Sequence, residues 1–358
     1  MQGRGRVPTM RTWSCTVGLA LVAGLSLKPL PGLADAAGPP APSQIQPVAL
    51  TPCTKPGSDS SAWIDRMQRG VYSGVCGSAA WFDGLFGNPR YDQDSEETFG
   101  RLGLFEAYDR RDKLDTRLRL RARFSLPNLE NRLKLTLGRG DEQALVEERP
   151  TATENPQPPN LQSDNDDAWL LGLGYNKQGG LNNGFDFGVG MRLSSGLDPY
   201  AKATYRHNLF FGDRTMLRFR ETPFWRDSRG WGATTQLALD YLAADTWLLR
   251  WNNIGTVAED TDGLDWGTST TAFQSLGKRR GISYTALLRG ETDADVRIKN
   301  YGFDVRYRQN VFREWLFMEL STSLTWPRET LEEEREINPG VGIGFEMYFG
   351  PVPEEKLR

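Results

Sequence analysis

The stretch Gly340-Val341-Gly342-Ile343-Gly344-Phe345-Glu346-Met347-Tyr348-Phe349-Gly350 alternates with period two. Val341, Ile343, Phe345, Met347 and Phe349 fall on one face, and Gly342, Gly344, Glu346 and Tyr348 on the other. Successive side chains of a strand point to opposite sides, so a strand that sorts its large apolar residues this way divides an apolar from a polar surrounding. Working back from this segment, the chain repeats the pattern in short runs parted by turn residues. Strands are expected over 98–109, 114–126, 132–139, 168–175, 185–193, 200–209, 215–224, 232–242, 246–257, 264–276, 282–289, 300–309, 315–326 and 340–349. An even number of such runs, each near the ~9–11 residues that cross a bilayer when tilted, suits a closed antiparallel barrel. The first and tenth runs alternate least regularly, and without them the count is twelve rather than fourteen.

The alternation is clearest in four runs. Leu114, Leu118, Leu120, Ala122, Phe124 and Leu126 oppose Asp115, Arg117, Arg119, Arg121 and Arg123. Phe185, Phe187, Val189, Met191 and Leu193 oppose Asp186, Gly188, Gly190 and Arg192. Leu237, Leu239 and Tyr241 oppose Gln236 and Asp240, and Tyr301, Phe303, Val305 and Tyr307 oppose Gly302, Asp304, Arg306 and Arg308. A soluble sandwich also alternates. Trp169, Tyr175, Trp247, Trp266, Trp315 and Trp326 fall near strand ends, where the aromatic girdles of membrane barrels lie.

A last strand that ends on an aromatic of its apolar face resembles the terminal strand of Gram-negative outer-membrane β-barrels. Trp315-Leu316-Phe317, Trp326-Pro327-Arg328 and Gly344-Phe345-Glu346-Met347 are similar to a proteobacterial family of such barrels. The resemblance implies an all-β transmembrane antiparallel barrel in the outer membrane. It also implies contact with outer-membrane lipids and lipopolysaccharide, and recognition by the barrel assembly machinery through Phe345, Met347 and Phe349. It carries over no activity, cofactor or functional residue. The tail that follows, residues 351–358, departs from the commonest arrangement of the class.

The amino terminus reads as a secretory signal over residues 1–36. Arg4, Arg6 and Arg11 precede a short apolar core from Cys15 to Leu27, and Ala34-Asp35-Ala36 offers a cleavage site. Residues 37–97 read as a periplasmic linker rich in Pro, Ala and Ser to Gly57, then a short helix capped by Ser60 or Ser61 and running to about Arg69, then an aromatic cluster of Trp81, Phe82 and Phe86. That segment is expected to form a cap on the barrel mouth or a plug within it. Residues 98–350 form the barrel. With Cys15 removed, Cys53 and Cys76 remain as a disulfide candidate in an oxidising compartment. Mean hydropathy is −0.53. That value is no obstacle to a barrel, because only alternate residues face lipid.

Parity places Arg117, Arg119, Arg121, Arg123, Arg192, Arg206, Arg218, Arg220, Arg250, Arg306 and Arg308 on the lumen face. Arg132, Lys134, Lys202 and Arg289 join them, against Asp115, Asp186, Asp240, Asp304, Glu319 and Glu346. Such a lining attracts anions if it is wet, and fills a narrow lumen if the charges pair across strands. The acids Asp141, Glu142, Glu259, Asp260, Asp262, Glu291, Asp293, Glu329, Glu332, Glu333, Glu334 and Glu336 collect in the loops opposite the termini. Asp260-Thr261-Asp262-Gly263 has only a fragment of a calcium loop and lacks its closing Glu, so no metal site is expected. The single histidine, His207, has the parity of the lipid face but no neighbouring Ser, and no nucleophile motif, cofactor motif or nucleic-acid module accompanies it. The sequence expectation is therefore a non-enzymatic pore or envelope component with a cationic lumen. The alternatives are a closed structural barrel that docks a periplasmic partner, and a lipid-modifying enzyme.

Overall fold

A computed structural model describes residues 99–125, 133–140, 145–147, 168–177, 183–194, 196–277, 279–313 and 315–349. Within them lie fourteen strands: β1 (Phe99–Asp109), β2 (Lys113–Ser125), β3 (Leu133–Arg139), β4 (Trp169–Lys177), β5 (Asn183–Leu193), β6 (Leu197–Phe211), β7 (Thr215–Arg226), β8 (Gly230–Ala244), β9 (Trp247–Ala258), β10 (Asp265–Gly277), β11 (Arg280–Glu291), β12 (Ile298–Asn310), β13 (Leu316–Thr325) and β14 (Asn338–Phe349). Each expected run became one strand, the first and tenth included, so the count is fourteen and the twelve-strand alternative falls away. The expected signal peptide over 1–36, the expected linker and cap or plug over 37–97 with the Cys53–Cys76 disulfide candidate, Arg132, the tail at 351–358 and the Phe349 side chain lie outside the described residues.

Every strand pairs antiparallel with its sequence neighbours, and β1 closes on β14. The closing seam runs from Gly100↔Phe349 to Asp109↔Gly340 without a register shift. Closure leaves no edge of unpaired backbone, as a wall in contact with acyl chains requires. The opposite faces of the sheet then meet different surroundings. Val341, Ile343 and Phe345 are exposed on β14, as are Phe187, Val189 and Met191 on β5 and Tyr301 and Phe303 on β12. The residues that alternate with them, Glu346, Asp304, Arg306 and Arg308 among others, are buried. Large apolar residues outside and charges inside is the reverse of a soluble core, and it is what an acyl-chain exterior selects.

Aromatic residues ring both ends of this outer belt. Trp169 and Trp247 open β4 and β9, and Trp326 stacks on Tyr301 with ring centroids 5.4 Å apart just beyond β13. The outer face also carries two carboxylates that simple alternation does not anticipate, Glu106 on β1 and Glu221 on β7. Glu221 accepts a hydrogen bond from the Thr235 hydroxyl at 2.6 Å, which satisfies part of its polarity within the belt.

The facing is testable on β2, where Leu118 is exposed beside Leu104, and the Arg119 guanidinium lies 5.0 Å from the centre of the Phe105 ring. Leu118→Arg is expected to destabilise the barrel by about 2–4 kcal/mol because it places a cation among acyl chains. Arg119→Leu is expected to cost less, because it leaves the acyl-chain face unaltered. Equal unfolding midpoints for the two variants after refolding into lipid vesicles would contradict the assigned facing.

Both barrel termini lie at one end, with short turns between β6 and β7, β8 and β9, and β12 and β13. The longer connections, between β3 and β4 and between β13 and β14, lie at the other. These are called the turn end and the loop end.

Candidate functional site

The interior of the barrel holds the charged residues, in layers set by strand register. At the turn end the inner face is apolar. Met216, Leu242, Leu248, Phe273 and Phe317 form one buried cluster with Phe210 and Tyr348 packed against it. The cluster joins β7–β10 to β13 without a member from β11 or β12, so it follows a chord across the lumen. Sequence alternation missed this layer by sending apolar residues outward. Its signal is the apolar pairs at strand ends, Phe210-Phe211, Met216-Leu217, Tyr241-Leu242 and Leu248-Leu249, in which one partner must face inward.

Arginines roof the apolar layer. Arg250 lies over the Phe273 ring at 5.3 Å and Arg308 over Phe317 at 5.1 Å. Arg250 and Arg218 both bind Asp240, through contacts of 2.6 and 2.9 Å, and the Asp240 side chain has no exposed surface. Arg308 donates to Glu346, to Glu319 at 3.2 Å and to the Tyr348 hydroxyl at 3.1 Å. Arg101, across the closing seam, lies 3.5 Å from Glu346, and Arg306 binds Asp304 at 2.8 Å. Arg117 binds Asp115 at 2.6 Å, Arg206 binds Asp186, and Arg192 lies 3.9 Å from Asp198. Each inner acid singled out in the sequence thus meets an arginine. Above the Arg250–Asp240 pair, hydroxyls and amides pair across strands: Gln236 with Asn252 at 2.6 Å, Thr234 with Thr256 at 3.0 Å and Thr271 with Thr285 at 2.9 Å.

Arg119, Arg121, Arg123 and Arg220 share this inner face. Arg121 and Arg123 follow Arg119 along β2, and Arg220 lies between Arg218 and Thr222 on β7. Two further inner arginines went unread, Arg101 on β1 and Arg226 on β7. Arg226 was missed because β7 continues past Phe224 in the same alternation.

Near the loop end a short segment of the β3–β4 connection enters the lumen. Leu145 and Val146 pack with Leu170 and Tyr200 of the inner wall. Gly138 makes room, since a Cβ there would lie 2.3 Å from a Leu145 methyl. Lys202 donates to the Leu145 carbonyl, and Glu147, fully buried, accepts from Arg226 at 3.2 Å and from Arg229. Burial pulls the Arg229 pKa down, but its hydrogen bond to Asp260 and the charges of Glu147 and Asp260 outweigh this and hold it above the ordinary arginine value.

The loop-end acids serve the fold. Glu259 accepts from the Trp231 amide at 3.0 Å, and Glu291 accepts from the Asp262 amide at 2.6 Å. The β13–β14 loop is tied over the β1–β2 turn by Arg110–Glu336 at 3.0 Å and Arg111–Glu333 at 3.1 Å. Backbone amides, first that of Glu329, hold the Glu333 carboxyl below its ordinary pKa, and Arg111 adds to the effect. No group of three metal-ligating side chains occurs among the described residues. His207 lies on the outer face, stacked on Tyr205 at 6.4 Å and hydrogen-bonded to Asn183.

No protein-family model matches the chain, and no curated protein sequence matches it. Solved structures do. The anion-selective porin from Comamonas acidovorans is 13% identical, with a TM-score of 0.39 over 70% of this chain and 98% of that one. The outer membrane channel DcaP of Acinetobacter baumannii is 10% identical, with a TM-score of 0.40 over 71% and 96%. OmpT of Vibrio cholerae is 9% identical, with a TM-score of 0.41 over 71% and 97%. Closed, antiparallel, apolar outside and charged within, the chain is a β-barrel of the outer-membrane type, similar in architecture to porins and channels.

Proposed function

We propose that this barrel is a non-enzymatic outer-membrane pore that favours anions, with its loop end outside the cell and its turn end in the periplasm. One observation carries the reading. Among the described inner-face residues, cations on β1, β2, β3, β6, β7, β9 and β12 outnumber the acids, Glu147 included. Fixed positive charge on low-dielectric walls raises the local concentration of anions and excludes cations. Short turns on the periplasmic side and long loops outside are the usual asymmetry of such barrels. Phe345 and Met347 on the outer face of the last strand fit recognition by the assembly machinery, and the turn end is where a periplasmic partner would meet the barrel.

The chord of apolar side chains at the turn end favours a second reading, a closed structural barrel. Planar-bilayer recording of the purified full-length protein separates the two. In a potassium chloride gradient the expected result is stepwise conductance whose reversal potential has the sign of chloride preference. Silent membranes support the closed barrel, and cation preference overturns the anion reading.

A further inference from the structure

We infer that the inner wall of β3–β6 carries a binding site for an oxyanion group, a carboxylate or a phosphate, seated on a bare patch of glycine backbone. The site follows from register. One row of directly opposed residues reads Lys134, Gly174, Gly188, Lys202 across β3, β4, β5 and β6. Opposed residues in antiparallel strands project to the same face, so two ammonium groups bracket two positions without side chains. The lysines stand three strand spacings apart, about 14 Å between backbones. The Lys202 stem leans over Gly188, where a Cβ would lie 3.3 Å from its Cε.

The neighbouring row adds Arg123, Thr136 and Tyr200 around Gly172 and Gly190. The two pairs of glycines serve different ends. A Cβ on Gly172 or Gly190 would lie 2.5–2.6 Å from the Tyr200 hydroxyl, so those glycines accommodate the tyrosine. A Cβ on Gly174 would meet only two backbone carbonyl oxygens, at 3.5 and 3.8 Å, so no side chain covers it. Over this floor lies a cavity of about 80 Å³, walled by Arg121, Arg123, Lys134, Lys202, Thr136 and Tyr200. That is room for several waters or one small polyatomic group. Its single acid, Asp186, is engaged by Arg206.

The donors converge from three strands, β2, β3 and β6, and include the planar forks of two arginines. Such a set matches a group with several acceptor oxygens better than a monatomic halide. The site lies beneath the inward Leu145 segment, so a solute crossing the lumen on that side passes over it. The inference deepens the pore reading and rests on it only in requiring that solute reach the lumen.

Binding is therefore measured without conduction. Inorganic phosphate and acetate are titrated separately into the full-length protein in detergent micelles, and line broadening is read by phosphorus and proton NMR. Saturable broadening by either ion is expected, and the stronger of the two identifies the group. Gly174→Leu fills the floor without changing charge, and Arg123→Gln removes one fork without filling it. Each is expected to weaken binding at least tenfold, the scale of a lost charge-assisted hydrogen bond. Both variants must keep the heat-modifiable gel mobility of a folded barrel. Binding by neither ion, or binding that Gly174→Leu leaves unchanged, overturns the site. Chloride selectivity without oxyanion binding leaves the pore and removes the site; saturable binding in a protein that does not conduct leaves the site and removes the pore.

Discussion

Arg308→Met is expected to lower the stability of the folded barrel by about 3–5 kcal/mol, the cost of removing one partner from a buried ion pair. Arg308 is 1% exposed and donates to Glu319, Glu346 and the Tyr348 hydroxyl while covering the Phe317 ring. Without it, Glu346 is left with the 3.5 Å contact to Arg101 and the Tyr348 hydroxyl at 3.2 Å, and Glu319 with the 3.7 Å contact to Arg306. Met retains the apolar stem over Phe317, so the loss is one of charge compensation rather than packing. Guanidinium unfolding in detergent is the measurement. Adding Glu346→Gln to the variant is expected to recover part of the loss, because it removes a carboxylate left short of donors. An unchanged midpoint for the single variant would mean that water hydrates these carboxylates and that this end of the lumen is wet.

Glu147→Ala is expected to release the inward segment and raise single-channel conductance. Glu147 has no exposed surface and holds Arg226 and Arg229 to the segment. Its loss costs about 3 kcal/mol of docking, the low end for a buried pair, because Arg229 keeps Asp260 and the segment can move out to water. That shifts the docked population by about a hundredfold. Three observables follow: larger current steps, faster protease cleavage near Leu145, and an unfolding midpoint close to that of the unaltered barrel. A variant with unaltered steps and cleavage would place the anchor elsewhere, in the packing of Leu145 and Val146 on Tyr200.

Much of the barrel was legible because its two solvents are so unlike. Phe187, Val189 and Met191 against Gly188, Gly190 and Arg192 read as a strand from their order alone, and so did β2 and β12. The same rule failed wherever surroundings changed along a strand. Phe273 and Phe317 face inward at the turn end because the lumen there is a small core, and Glu221 faces outward because Thr235 gives it a partner. The segment at Leu145 was illegible for another reason. It lies in a loop, has no period, and is held by residues distant in sequence, Lys202 and Arg226.

The order of residues along the chain was enough to mark out the strand segments and the lipid side of most of them, though it left fourteen and twelve strands open, since a two-residue period needs no distant partner to be read. Which charges meet depends on the folded sheet. Arg308 on β12 reaches Glu346 on β14 over the intervening strand, and Arg101 reaches the same carboxylate only because the sheet closes β1 onto β14. Closure and curvature, which bring together side chains hundreds of residues apart, are properties of the whole sheet and of no segment within it.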